Sequence, residues 1–135
     1  MKKVLLLGLI TLVLGVTPLA YANEPELSDK EIDVRSNRLD VINDKLQLHM
    51  IDKGKADLLF EKAQLMFSMF NQLYLRTSTE ALLKAIQISP QKRYKEFLFE
   101  VYDLYWKDKD LSGDDQISKD LTALKGKCQM ALERL

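Results

Sequence analysis

Apolar residues recur at spacings of three and four along almost the whole chain after residue 28, and no stretch alternates apolar with polar residues between hairpin turns. That periodicity is helical. It leaves the chain one way to build a core, by laying helical stripes against one another. The last stretch carries it most cleanly: Ile117, Leu121, Leu124, Cys128, Ala131 and Leu135 step by alternating fours and threes. The expected fold is all-α, a small bundle of four to five mostly antiparallel helices joined by short connections. Cys128 is the one cysteine, so no internal disulfide can staple the fold, and apolar packing has to hold it.

Helix by helix, Ser28-Asp29-Lys30-Glu31 forms a capping box that opens the first element. Ile32, Leu39, Ile42 and Leu46 follow at heptad-like spacing, with Arg35 and His49 at the remaining seam positions. This narrow stripe predicts a coiled-coil contact and a self-association surface. Gly54 either ends that helix or is tolerated in a longer one. Residues 56–75 are the most apolar part of the chain after the N-terminal segment. Leu59, Ala63, Met66, Phe70 and Leu73 form one stripe, and Phe60, Phe67 and Tyr74 a neighbouring one, so the helix is expected to be central. Thr77-Ser78-Thr79-Glu80 reads as a second capping box, and Ser89-Pro90 as a cap followed by proline at the first helical position. A polar, acid-rich loop over 107–115 precedes the last helix.

The N-terminus carries an address. Lys2 and Lys3 precede an apolar run from Val4 to Val16, then Thr17-Pro18 and Ala20-Tyr21-Ala22. A positive head, a short apolar core and a small-x-small site are the parts of a cleaved secretory signal. The run is shorter than the roughly 20 residues of a permanent span, and no cysteine at the cut invites a lipid anchor. The expected organisation is a signal peptide over 1–22, a flexible leader over 23–28 and one helical domain over 29–135. The expected location is the periplasm of a bacterium, or outside the cell. Removing 22 of 135 residues leaves 113, enough to bury a core without disulfides or metals. The whole chain has 20 basic and 20 acidic residues, and the signal takes two lysines and no acid. The resulting slight acidic excess argues against a nucleic-acid partner.

Residues able to carry chemistry are few. The loop Asp110-Leu111-Ser112-Gly113-Asp114 resembles the start of an EF-hand calcium loop, with Asp110, Ser112 and Asp114 as candidate metal ligands. It departs at the turn glycine, replaced by Asp115, and at the bidentate glutamate, replaced by Leu121. Starting the frame at Asp108 restores Gly113 but puts Lys119 at the last ligand position. The alternative is a solvated loop in which Asp114 or Asp115 caps the last helix. His49 is the one histidine, so it can form no multi-histidine site; at a helix seam it reads as a half-exposed surface residue, with an acid switch as the alternative. Cys128 lies on an apolar stripe and is expected in the core, with an intermolecular disulfide as the alternative. Glu96 and Glu100 share a helix face, but such pairs are ordinary on solvated helices.

Tyr94, Phe97, Phe99, Tyr102, Tyr105 and Trp106 make six of the eleven aromatics and occupy one helix. One face cannot bury them all. Phe99 and Trp106, seven residues apart, together with Tyr102 form the expected partner-binding face. The function expected is a non-enzymatic exported protein that binds another protein or a second copy of itself, such as a chaperone, secretion accessory or immunity protein. No cofactor is called for beyond a calcium ion at the acidic loop. The alternatives are an ion-responsive module built on that loop and a small cell-wall hydrolase.

Overall fold

The computed structural model describes residues 27–48 and 51–134. The signal segment, its cut after Ala22, His49 and Leu135 lie outside the described residues. Among these residues there are five helices and no strand: α1 (Asp29–Leu46), α2 (Asp52–Phe70), α3 (Leu75–Ile88), α4 (Lys92–Val101, continued by a π-helical turn over Tyr102–Trp106) and α5 (Gln116–Glu133). The bundle expected from the periodicity is the one the chain forms. None of these helices is long and apolar enough to cross a membrane.

The caps show why the helices start where they do. Ser28 Oγ accepts from the Glu31 amide at 3.2 Å, as the capping box requires. Asp115 caps α5, accepting from the Ser118 amide at 3.2 Å and its hydroxyl at 2.7 Å. Gly113 makes room for that cap: a Cβ there would sit 2.7 Å from Asp115 Oδ1. Gly54 falls in the first turn of α2, so the first two helices are separate. Three expected boundaries move. α2 stops at Phe70 rather than running to Leu75, because Asn71 turns to φ 50° and Leu73 N bonds Phe70 O at 2.9 Å. α3 therefore starts at Leu75, and the second capping box is not used. Ser78 Oγ bonds the Tyr74 carbonyl at 2.8 Å, and buried Thr79 receives an indole hydrogen bond instead. α4 starts at Lys92, after Gln91, rather than at Pro90.

Side-chain pairing gives the topology. Arg38 makes two hydrogen bonds to Glu61, at 2.6 and 2.7 Å, across the short α1–α2 connection, so these helices are antiparallel. A ladder of rings links α2 to α4: Phe60 meets Tyr94 and Phe97 at 4.4 and 5.5 Å, and Phe67 meets Phe97 and Tyr105 at 5.9 and 5.6 Å. Residue numbers rise together along it, so α2 and α4 run parallel. Trp106 Nε1 donates to Thr79 Oγ1 at 3.2 Å, tying the end of α4 to the start of α3. Gln129 bonds Tyr102 and Lys95 bonds the Arg134 carbonyl, so α4 and α5 are antiparallel. The chain thus runs up-down-up-down-up.

α2 is central, as its apolar breadth predicts. Leu59, Phe60, Ala63, Gln64, Leu65, Met66 and Phe67 are all buried. Leu59, Phe60, Ala63, Leu65 and Phe67 join Leu82, Ala85, Tyr94, Phe97, Leu98, Val101, Trp106, Leu124 and Cys128 in one cluster. Burying side chains of the larger kinds here contributes roughly 1.5–3 kcal/mol each.

Candidate protein-binding surface

α1 lies at the margin of the bundle and packs chiefly on α2. The stripe read as a self-association seam is turned inward for half its length. Ile42 is fully buried in the core and Leu46 packs against it. Leu39 is half-buried, and only Ile32 stays exposed. Arg35, at a seam position, is also buried, and burial lowers its pKa while the nearby Glu31 partly restores it. The Arg38–Glu61 bonds fix the helix against α2 and raise the Arg38 pKa.

With that stripe assigned to the core, a second one becomes visible on α1. Val34 is 60 % exposed, Val41 43 % and, just past the helix end, Leu48 66 %. At about 100° per residue, seven-residue steps hold these positions within roughly 40° of one another. The stripe is flanked on one side by Asn37 and Asp44 and on the other by Arg38 and Lys45. The bare apolar line and its polar margins are the anatomy of a docking face, apolar at its centre and polar at its rim. Seven-residue spacing of Val34, Val41 and Leu48 is the sequence signal that finds it.

The aromatic face on α4 is different from its sequence expectation. Phe99 remains 48 % exposed, but Trp106 is fully buried and bonded to Thr79. The π-helical turn is the cause. Lys107 N bonds Tyr102 O at 2.8 Å, five residues back. The extra residue in that turn rotates the later positions by roughly 100° relative to an α-helix. Trp106 therefore leaves the side of Phe99 for the core side, and cannot offer its ring to a partner in this fold. Tyr102 is half-buried and accepts from Gln129 at 2.8 Å. Phe99 thus stands without the neighbour expected beside it.

The acidic loop is organised by its own hydrogen bonds. Asp110 Oδ1 accepts from the Ser112 amide at 3.0 Å and the Ser112 hydroxyl at 2.7 Å. These bonds hold the Asp110 carboxyl below its usual range, and those from Ser118 do the same for Asp115. No group of three histidine, cysteine or acidic residues able to hold a metal occurs among the described residues. The Ser112 hydroxyl is engaged by Asp110, and Gly113 has a role in the α5 cap.

Cys128 is fully buried, and burial pushes its thiol up to about 12. A thiol kept protonated in an apolar setting is a weak nucleophile. Elsewhere the polar network at the start of α4 is structural: Asp57 accepts from Arg93 at 2.7 Å and from the Tyr94 hydroxyl, while Arg93 lies over the Phe60 and Tyr94 rings. Its buried end raises the Tyr94 pKa, chiefly by desolvation. Glu96 and Glu100 do not form a matched pair, since Glu100 is buried and Glu96 half-buried. No protein family, curated protein or solved structure shows a significant match to the chain.

Proposed function

We propose that this chain is an exported, non-enzymatic helical protein that acts by binding another protein through the outer face of α1. The observation that carries the reading is the exposed Val34–Val41–Leu48 stripe on a helix that packs chiefly on one neighbour. Apolar side chains in water along one line are the kind of surface a partner helix or groove covers. The signal-like N-terminus supports export, and supports a periplasmic or extracellular partner. The inert setting of Cys128 and the self-satisfied acidic loop support a role without catalysis.

The test is co-purification from periplasmic extract with the unaltered chain and with Val34→Ser, Val41→Ser and Leu48→Ser combined. All three positions are exposed, so helicity by circular dichroism should be retained. The expected result is a stoichiometric partner, or a second copy by light scattering, that is lost in the triple variant. Intact mass of the exported protein should show cleavage after Ala22. An identical set of bound proteins with both forms, or no partner with either, would refute the reading.

A further inference from the structure

The seam between α3 and α5 opens at one end into a groove of about 560 Å3. That size lies within the range of about 300–1,000 Å3 used by small-molecule sites. Leu83 and Ile86 of α3 and Met130 of α5 supply its apolar lining. Its polar groups include three cations, Lys95, Lys127 and Arg134, and no acidic side chain lines it among the described residues. Methionine adapts its shape readily to an apolar guest.

The sign of the site survives the helix dipoles. α3 ends at Ile88 and α5 at Glu133, so two carbonyl ends lie at this end of the bundle. Each is equivalent to about half a negative charge. Lys95 answers one of them, with Nζ 3.5 Å from the Arg134 carbonyl. Three full positive charges outweigh two half-charges, and Lys127 and Arg134 remain to meet a ligand. The chemistry is divided: apolar walls, cationic margin, and a volume fit for one chain rather than for the successive anchors of a docked helix.

We propose that this groove binds a single-chain anionic amphiphile of the fatty-acid type. The carboxylate is held by Lys127 and Arg134, and the alkyl chain lies along Leu83, Ile86 and Met130. The proposal uses α3 and α5 and does not depend on the α1 surface.

The test follows the Met130 methyl resonance of the full chain by NMR, assigned through Met130→Leu, during titration with decanoate. A local readout separates the groove from the apolar N-terminal segment. The expected result is saturable movement with decanoate and little with decyltrimethylammonium at the same concentrations. Affinity should rise roughly three- to fourfold for each methylene added until the groove is full. Lys127→Gln with Arg134→Gln, both at exposed positions, should weaken decanoate at least tenfold while leaving the folded spectrum intact. The proposal is overturned if the cationic amphiphile moves Met130 equally, if the glutamine pair leaves decanoate binding unchanged, or if Met130 does not respond. A response only to an acidic amphipathic helical peptide overturns it too, and makes the groove a protein site.

Discussion

Cys128 should make the fold sensitive to alkali in a way that one substitution isolates. The thiol is fully buried, and its pKa is pushed up from 9.0 to about 12. In the unfolded chain it ionises near 9, whereas in the fold it stays protonated. Between these values the unfolded state binds fewer protons, so stability falls as pH rises. Below pH about 9 nothing is lost; above about 12 the loss is complete. Each pKa unit is worth about 1.4 kcal/mol, so moving from pH about 8 to about 10.5 should remove about 2 kcal/mol through this thiol alone. Tyr105, raised from 10.0 to about 12 by burial, adds a loss in the same direction. Cys128→Ala separates the two. It costs a pH-independent cavity term at both pH values, but keeps the tyrosine contribution. Urea unfolding with a non-thiol reductant, followed by circular dichroism, should show the gap between the unaltered chain and Cys128→Ala narrowing by about 2 kcal/mol at the higher pH. An unchanged gap would mean that the thiol ionises in the folded state near its ordinary value, and the burial argument would fall with it.

Two substitutions on α4 test the effect of the π-helical turn. Trp106→Ala should destabilise by about 3–5 kcal/mol as a large core ring is deleted, whereas Phe99→Ser should cost under about 1 kcal/mol as a surface change; comparable costs in chemical denaturation would refute that rotation of Trp106 into the core. Asn71 holds φ 50° at the α2–α3 turn, which costs a non-glycine residue about 1–3 kcal/mol. Asn71→Gly relieves that strain but adds about 0.5–1 kcal/mol of chain entropy. Thermal melting should therefore show a net gain of about 0–2.5 kcal/mol, and a clear loss would show that the Asn71 side chain contributes more than its backbone strain costs.

What could be read in the sequence was what depends on neighbours three or four residues away. The Ser28 cap and the Asp115 cap are local hydrogen bonds. The centrality of α2 comes from an apolar surface too wide for one contact. What could not be read depends on a turn or on a neighbouring helix. Thr77-Ser78-Thr79-Glu80 has the form of a cap, but the Asn71 turn starts α3 three residues earlier and carries Thr79 inward to meet Trp106. The seven-residue relation of Phe99 and Trp106 holds only for an unbroken α-helix, and one wider turn between them undoes it.

α1 poses the sharper difficulty, because it carries two heptad stripes and periodicity cannot rank them. Ile32, Leu39 and Leu46 form one line with Ile42 beside it; Val34, Val41 and Leu48 form the other. The choice is made by α2. Glu61 stands where Arg38 can bond it twice, and this rotates Ile42 into the core and Val41 out of it. The larger Leu and Ile side chains bury more apolar area than valines do, so the same rotation is favoured by packing. A self-association surface sought on the first stripe therefore competes with the α1–α2 contact, and exposing Ile42 to a second copy would leave Arg38 and Glu61 without their paired bonds. The second stripe carries no such penalty, which is why a partner is expected there.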